Sequence, residues 1–408
     1  MLKSNKPSVG LVATLLCALM GCDLSVSNPG PVADTALDEA VAHQAVVNGM
    51  GRALSRAVGF VAYTGGIVTR EIVAAGLRNP STLGVSLKQS VGILDPGLDE
   101  NNDHWRYAQQ ARWVAEDGVR RIRDAIGPEF ASSVLGAQAL VYAGFANRLL
   151  GENMCSAVID GGPVLPRSDY FARAEAAFTE AIGVAEAAGD AELGRAARAG
   201  RASVRVWLED WSGAVADAQQ IPQAFAYRAI YSNIEQDQYN RIFAANVTSA
   251  RAHSVVGTFF EPYYRATNDP RTPWKTNPAF PTGSAGVLWY FQTKYDRQGS
   301  PINLVTGREM RLVIAEGLLR TGDWQQALAV INALRANVGM APWTASDVGA
   351  AWTALARERG IELWLEGRLL GDIFRWKASS APLTFSEMTG RDGCFPIGVS
   401  EIDANPNI

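Results

Sequence analysis

The chain has 408 residues, 48% of them hydrophobic and 19% charged, which is typical of a globular protein and excludes a largely disordered one. This length exceeds what one hydrophobic core usually serves, so we expect one large body with an accessory lobe, or two closely joined domains. The 37 basic and 41 acidic side chains give a net charge of −4 without a cluster of Lys and Arg, which argues against a nucleic-acid partner.

The N-terminus carries an export signal. Two lysines precede an apolar run over residues 9–20, which is too short to span a bilayer because a spanning helix needs roughly twenty residues. The letters LMGC that follow have the form of a lipobox, so we expect residues 1–21 to be removed and Cys22 to receive fatty acyl chains such as palmitate. The alternative is an ordinary secretory peptide with an incidental cysteine. More than one acyl chain gives stable anchoring, and residues 22–35 then form a lipid-anchored tether.

Export would place the two cysteines of the remaining chain, Cys155 and Cys394, in an oxidising compartment. Neither lies in a C-x-x-C pair or beside a histidine, so the sequence does not indicate a zinc site. Two leftover cysteines outside the cytoplasm pair more often than they stay free. We therefore predict a disulfide between them that ties the C-terminus to the middle of the chain.

Residues 36–221 and 307–408 have the apolar spacing of helices, except for residues 57–105, which we predict to be irregular like residues 222–306. A break at residues 321–323 separates two periodic segments and predicts an antiparallel helix pair with a tight turn, and a similar break follows Leu208. Small residues surround Phe178 in another periodic segment. Small residues at a helix seam with a large one keyed between them resemble the tetratricopeptide pattern, so we predict a mainly α fold.

Residues 222–306 differ, because they are rich in Pro, Gly and aromatic residues and lack helical spacing. We predict loops with short strands, such as one at residues 287–293, that form a ligand-facing region on the helical frame. Sugar rings lie on aromatic faces while amides and acids bind their hydroxyls. Each aromatic residue has the alternative of being part of the core. The candidate contacts are Trp105, Tyr263, Tyr264, Trp274, Trp289 and Tyr290, with Asn268, Asp269 and Asn277 as hydrogen-bonding partners of the ligand.

Three carboxylates, Glu358, Glu362 and Glu366, are spaced by four residues and would share one helix face. A glycosidase needs two carboxylates across a cleft, so we interpret these three as members of an ion-pair network. Partners for them are available in the same segment: Arg359, Arg368, Asp372 and Arg375.

No catalytic motif is found in the chain. The three histidines are isolated from one another, and neither a nucleophile elbow nor a glycine-rich phosphate loop occurs, although a spatial Ser-His-Asp arrangement stays open. The acidic loop at residues 95–103 has oxygen ligands that suit Ca²⁺, but its spacing is not that of an EF-hand, and a solvated turn is the simpler interpretation. We predict no enzyme, no cofactor and no metal.

Several stretches resemble one family, the SusD/RagB nutrient-uptake lipoproteins of Bacteroidetes-type outer membranes. They are "LDEAVAHQAVVNGMGRAL" after Cys22, "NDPRTP" and "KYDRQGSPINLVTGREMRLVIAEGLLRTGDWQQALAVINALRA" in the middle, and "ARERGIELWLEGRLLGDIFRW" and "CFPIGVSEIDANPNI" near the end. The resemblance implies a right-handed tetratricopeptide-like helical scaffold of four pairs with a loop-rich, minor-β ligand-binding lobe.

The same resemblance implies a function. Members act as surface lids and substrate-binding partners of SusC-like TonB-dependent transporters; some bind oligosaccharides, and the RagB branch handles peptides. We therefore expect a non-enzymatic lipoprotein of the outer membrane that captures a glycan or peptide at the cell exterior and delivers it to such a transporter. The alternatives are a tetratricopeptide-type adaptor of an envelope complex, which binds only protein, and an anchored glycan hydrolase.

Overall fold

The computed structural model describes residues 34–76, 87–246, 250–382, 391 and 393–408. The predicted signal peptide and Cys22, with all of the tether except its last two residues, lie outside this part of the chain. In the described ranges, no helix combines the length and the apolar character needed to cross a membrane.

Helices form the frame of the molecule, and most pack against the next helix along the chain. The fold is a mainly α, right-handed tetratricopeptide-like scaffold, which confirms the predicted class. The helices are α1 (His43–Val68), α2 (Leu87–Ser90), α3 (Asp99–Ile126), α4 (Val134–Asn153), α5 (Ser168–Ala188), α6 (Ala191–Trp207), α7 (Trp211–Gln219), α8 (Arg241–Ala244), α9 (Phe260–Thr267), α10 (Gly307–Arg320), α11 (Trp324–Ala336), α12 (Val348–Glu362), α13 (Leu369–Ala378) and α14 (Val399–Ala404).

Aspartates begin the second helix of several pairs. The side chain of Asp210 accepts a hydrogen bond from the backbone N–H of Gly213 at the start of α7, and Asp323 accepts one from Gln326 at the start of α11. Such caps satisfy backbone donors that have no partner inside the helix. The breaks predicted after Leu208 and at residues 321–323 are therefore confirmed as turns between packed helices. Residues 57–68, in contrast, were predicted to be irregular but form the second half of α1.

The seam around Phe178 is also present, and glycines provide its closest approach. A Cβ atom on Gly144 of α4 would lie 2.5 Å from the Phe178 ring of α5, and one on Gly200 of α6 would lie 2.4 Å from it. These distances are shorter than any tolerable carbon contact, so the two glycines let three helices close on one buried ring.

In the part of the chain that the structure describes, short strands make four two-stranded antiparallel pairs, β1–β5, β2–β3, β4–β8 and β6–β7. The strands are β1 (Val73–Ala74), β2 (Ser156–Ala157), β3 (Leu165–Pro166), β4 (Ala226–Ala229), β5 (His253–Ser254), β6 (Trp274–Thr276), β7 (Tyr290–Gln292) and β8 (Ile302–Thr306). Five of them lie within residues 222–306, and β7 lies inside the stretch predicted as a strand. Their pairing holds the loop-rich region together and against α1.

Glu358, Glu362 and Glu366 do not share one helix, so that prediction was wrong. Helix α12 ends at Glu362, and Leu365 has a left-handed backbone with φ of 60°, which turns the chain before Glu366. All three carboxylates nonetheless form ion pairs; Glu358 and Glu366 are buried, and the side chain of Glu362 is 8% exposed. The pairing is structural, as predicted.

The partners of these glutamates come from distant segments rather than from the stretch ARERGIELWLEGRLLGDIFRW in which they lie. Glu358 accepts hydrogen bonds from Arg271 at 2.6 Å and from Arg335 at 2.8 Å. Arg308 pairs with Glu362, and Lys294 pairs with Glu366 at 2.8 Å. Burial raises the pKa of Glu362, but the guanidinium groups of Arg308 and Arg271 outweigh it and hold that pKa below its usual range.

Arg359, Arg368 and Arg375, which were predicted as partners of the three glutamates, bind other acids. Arg359 donates to Asp372 at 2.8 Å, and Arg375 bridges Asp372 and Glu316. Arg368 reaches Glu152 of α4 and Glu309 of α10. We call these ion pairs, together with the pair of Asp269 and Arg271, the ionic network. Its acidic members are Glu152, Asp269, Glu309, Glu316, Glu358, Glu362, Glu366 and Asp372, and its basic members are Arg271, Lys294, Arg308, Arg335, Arg359, Arg368 and Arg375. It connects α4, α10, α11, α12 and α13 with the loop-rich region.

Cys155 and Cys394 are joined by a disulfide whose Cα atoms are 5.0 Å apart. The backbone continues the connection, because the N–H of Cys155 donates to the carbonyl of Phe395 at 2.8 Å and the N–H of Phe395 donates to Asn153 at 2.7 Å. The C-terminal segment is thus held against the end of α4.

Candidate ligand-binding site

Three of the six predicted aromatic contacts come together at the surface of the loop-rich region. The rings of Trp274 and Tyr290 are stacked, with centroids 5.1 Å apart and planes inclined by 10°. The ring centroid of Tyr264 lies 5.8 Å from that of Trp274, with the ring planes inclined by 58°. We call Tyr264, Trp274 and Tyr290 the aromatic ladder; each of its members is partly exposed to solvent.

The β6–β7 pair positions two of the rings. Trp274 lies opposite Gln292 and Thr276 lies opposite Tyr290, so Trp274 and Tyr290 are diagonal neighbours on one face. The indole N–H of Trp274 donates to the carbonyl of Phe260 at 3.3 Å, which ties the ring to the start of α9. The backbone of Tyr290 bonds to β5 through Ser254. The ladder is therefore held by backbone contacts on both sides.

Helix α9 contributes Tyr264 and, next to it, Arg265. The guanidinium carbon of Arg265 lies 5.6 Å from the Trp274 ring centroid and 5.9 Å from that of Tyr290, and its side chain is 60% exposed. Glu261 accepts a hydrogen bond from it at 2.9 Å. The sequence reasoning missed Arg265, although its position beside Tyr264 on an exposed helix was a usable signal.

The ladder also offers hydroxyl groups. Within the described part of the chain, the phenol oxygens of Tyr264 and Tyr290 have no hydrogen-bond partner. Partly exposed ring faces beside free hydroxyls and a cation provide the combination of stacking and hydrogen bonding that a sugar requires.

The other three aromatic candidates are internal, and their interpretation as ligand contacts is corrected here. Trp105 is 2% exposed and its indole N–H donates to Glu401 at 3.2 Å. Trp289, also 2% exposed, packs on Phe291 at 4.5 Å. Tyr263 donates its hydroxyl to Asp269 at 2.6 Å, and burial raises the pKa of this phenol to about 12. None of the three presents a ring face to solvent.

The polar candidates also have structural roles. Asp269 is fully buried and receives two hydrogen bonds from Arg271. Asn268 ends α9 in a left-handed conformation, and the side-chain oxygen of Asn277 accepts from the N–H of Ala279. Among the residues with described positions, no three His, Cys, Asp or Glu side chains come together as a metal site would require.

Comparisons with known proteins agree with this architecture. The sequence model of the SusD family matches residues 227–393. A SusD/RagB family protein from Bacteroides thetaiotaomicron has a TM-score of 0.65 at 13% identity, over 90% of this chain and 94% of that one. A laminarin-binding SusD-like protein has a TM-score of 0.65 at 16% identity, over 90% and 99%. A SusD-like carbohydrate-binding protein from Bacteroides vulgatus has a TM-score of 0.57 at 17% identity, over 82% of each chain. No curated protein sequence matches significantly.

The fold and the exposed ladder define a tetratricopeptide-like helical protein that carries a loop-rich, aromatic lobe. The family match covers most of that lobe together with α10 to α13, and with them all of the ionic network except Glu152. Residues 227–393 therefore match the SusD family, which confirms the predicted resemblance to SusD/RagB proteins.

Proposed function

We propose that this protein is a cell-surface lipoprotein that captures an oligosaccharide and delivers it to a SusC-like TonB-dependent outer-membrane transporter. The observation that carries the proposal is the aromatic ladder. Its three rings are partly exposed, and hydrogen bonds to Phe260 and Ser254 hold Trp274 and Tyr290 in place, so little conformational freedom of these two residues is lost on binding. The carbohydrate-binding relatives of the same fold support a glycan as the ligand.

Binding without catalysis is the role that suits the acidic residues. Hydrolysis of a glycosidic bond needs one carboxylic acid and one carboxylate that face each other across a cleft. Glu358 and Glu362 instead share Arg271 inside the protein; Glu358 is fully buried, and the side chain of Glu362 is only 8% exposed. Carboxylates enclosed by guanidinium groups in this way have no access to a substrate.

The proposed membrane attachment is based on the lipobox at Cys22. The proposed delivery of the ligand to a transporter is based on the resemblance to SusD/RagB proteins. Acylation of Cys22 is tested by mass spectrometry of the N-terminal peptide from membrane-extracted protein, where added diacylglycerol and an amide-linked acyl chain are expected. Delivery is tested by detergent extraction of outer membranes, where co-purification of a TonB-dependent transporter is expected. An unmodified Cys22 or a protein that purifies alone contradicts the respective part of the proposal.

The ligand class is tested by isothermal titration of the purified protein against neutral and acidic oligosaccharides, laminarin oligosaccharides among them, and a set of peptides. We expect heat with at least one oligosaccharide. Heat with peptides alone assigns the protein to peptide capture, and no heat with any small ligand favours an adaptor. Release of reducing ends from a polysaccharide would make the protein a hydrolase. Each of these three results contradicts the proposal.

A further inference from the structure

A second concave surface lies away from the ladder, between α1 and the chain that follows β4. This α1–β4 cleft has a volume of about 730 Å³. One wall is the first half of α1, the other is residues 228–238, and Tyr142 of α4 closes one end. The ladder lies beside β1, which follows the opposite end of α1. From Arg52 to Val68 the helix rises by roughly 24 Å, so the cleft and the ladder are separate sites.

Hydrogen bonds hold the cleft in shape. The hydroxyl of Tyr231 donates to the carbonyl of Ser55 at 2.7 Å and joins the two walls. The hydroxyl oxygen of Ser232 accepts from the N–H groups of Ile234 and Glu235 at 3.1 and 3.0 Å, which fixes the turn beyond it. Arg52 binds both Glu235 and Asp237 from α1. These hydrogen bonds and ion pairs fix both walls of the cleft.

The floor of the cleft is bare backbone at Gly49. A Cβ atom built there would have no neighbour within 4 Å. Glycine in a helix interior costs about 1 kcal/mol relative to alanine, and packing does not require it at this position. The absent side chain leaves room for a ligand to approach the helix closely.

Arg228 supplies a positive charge whose position is fixed. Its Nε donates to the side-chain oxygen of Asn303 at 3.2 Å. Asn303 in turn donates its amide N–H to buried Glu366 at 2.8 Å, so the ionic network orients the amide that orients the arginine. Among the described residues, no carboxylate pairs with Arg228, whereas Arg52, the other cleft arginine, has two. The terminal nitrogens of Arg228 are free to form the paired hydrogen bonds that a carboxylate accepts.

The rest of the lining suits a sugar better than a peptide. A peptide needs deep apolar pockets for its side chains or a hydrophobic groove. This cleft has small residues at Ala45 and Ala229 and polar groups at Asn48, Ser232 and Gln238. Of its larger aliphatic residues, Leu54 and Leu304 are buried, and only Ile230 is largely exposed. Amides and hydroxyls around a shallow floor are partners for sugar hydroxyls.

We propose that the α1–β4 cleft is a second carbohydrate-binding site that takes a carboxylate-bearing oligosaccharide, a polymer of uronic acids. Arg228 binds the carboxylate, Asn48 and Ser232 bind hydroxyls, and the sugar ring lies over Gly49. The inference rests on the proposed function in one respect, that the ligand of this protein is a glycan. It adds that acidic glycans bind at a site independent of the ladder.

Titration with oligogalacturonate and with a neutral oligoglucan tests the proposal. Gly49→Leu places a side chain in the cleft at a position where a Cβ atom has no neighbour within 4 Å. Gly183→Leu is its matched control, because Gly183 is an exposed position of α5 where a Cβ atom also has no neighbour within 4 Å. Arg228→Gln removes the charge, and Arg195→Gln on exposed α6 is its control. We expect Gly49→Leu and Arg228→Gln to weaken oligogalacturonate binding at least about tenfold and to leave neutral-glycan binding unchanged. Circular dichroism melting verifies that every variant folds.

Three results would overturn the inference. Unchanged oligogalacturonate affinity in both cleft variants excludes the cleft. Loss of that affinity in Trp274→Ala alone moves the acidic ligand to the ladder and leaves the proposed function intact. Heat with peptides that disappears in Gly49→Leu, with none from oligogalacturonate, assigns the cleft to peptides. Absence of binding by any glycan in the wild-type protein refutes the proposed function as well, and is distinguishable from the other three.

Discussion

The ionic network of the frame and the aromatic ladder of the lobe use polar groups in opposite ways. In the network, every carboxylate oxygen of Glu358 and Glu362 contacts an arginine; Glu358 is fully buried and the side chain of Glu362 is 8% exposed. In the ladder, the three aromatic side chains are partly exposed, and two hydroxyls have no partner among the described residues. A group whose bonds are already made inside the protein has nothing left for a ligand, so the residues that look most reactive in the sequence are structural.

The two regions nevertheless meet at Arg271. This residue belongs to the loop-rich region, and it binds Asp269 next to α9 as well as Glu358 and Glu362 of α12. Tyr263, the neighbour of Tyr264 on α9, donates to the same Asp269. The network therefore fixes α9, the helix that carries Tyr264 of the ladder. Substitutions in the network should for this reason also disturb the loop-rich region.

The largest effect is expected from Glu358→Gln. The variant leaves Arg271 and Arg335 buried without their shared carboxylate, which should lower the free energy of unfolding by about 3–5 kcal/mol. Urea denaturation measures it. The control is Glu186→Gln, whose carboxylate is 64% exposed in its pair with Arg198 and should cost less than about 1 kcal/mol. Equal losses of unfolding free energy in the two variants would mean that a buried ion pair of the network contributes no more stability than an exposed pair at the surface.

The disulfide should come next, because it closes a sequence separation of 239 residues between the frame and the C-terminus. Replacing Cys155 and Cys394 by serine should lower the unfolding free energy by about 2–5 kcal/mol through the larger entropy of the unfolded chain. Thermal melts with and without reductant measure the effect. Thiol titration of denatured, unreduced mature protein should find neither cysteine free, and two free thiols would reject the bond.

The lobe contains its own buried polar group, His253, whose effect depends on pH. Burial lowers the pKa of this imidazole to about 3, and neither ring nitrogen has a partner among the described residues. The unfolded chain takes up the proton below pH 6.5, so the folded state loses stability as pH falls from there towards 3. Between pH 7 and pH 5 this amounts to about 2 kcal/mol.

His253→Phe removes that proton uptake and keeps a ring beside Tyr63, which packs at a centroid distance of 5.9 Å. Relative to the wild type, the variant should gain about 2 kcal/mol of unfolding free energy on going from pH 7 to pH 5. Urea titrations of both proteins at the two pH values measure the difference. Parallel pH dependence in the two proteins would show that His253 is not buried in its neutral form.

The smallest effect concerns the helix seam. Gly200→Ala should gain helix propensity but drive a methyl group into the Phe178 ring, with a net loss of about 1 kcal/mol. Gly183→Ala on exposed α5 makes no such contact and should stabilise by up to about 1 kcal/mol. Chemical denaturation of the two variants compares them. A higher free energy of unfolding in both variants would mean that the three helices around Phe178 can move apart without loss of stability.

The frame was more predictable from the sequence than the lobe. Apolar spacing and capping aspartates are local signals, so the helix pairs and the turns at residues 208–210 and 321–323 were found. The partners of Glu358 and Glu362 were not found, because Arg271 and Arg308 are at least 50 residues away in sequence and only the folded chain brings them together. Local spacing suggested Arg359 and Arg375, which bind Asp372 instead.

In the lobe, two geometric rules would have sharpened the choice of contacts. Successive side chains on a strand point to opposite faces, so Tyr290 and Trp289 could not both face the ligand. Successive residues on a helix point about 100° apart, which separates Tyr264 from Tyr263. Which member of each pair is exposed depends on how α9 and β7 pack on the frame. The sequence does not contain that information in any local pattern.

The most direct test of the account is the affinity of Trp274→Ala for the oligosaccharide that binds the wild-type protein at the ladder. Trp113→Ala is the matched control, since Trp113 is a 53% exposed tryptophan on α3, outside the lobe. We predict that Trp274→Ala weakens binding at least about tenfold by titration calorimetry while Trp113→Ala leaves it unchanged. Equal affinity in the wild type and Trp274→Ala would contradict the account.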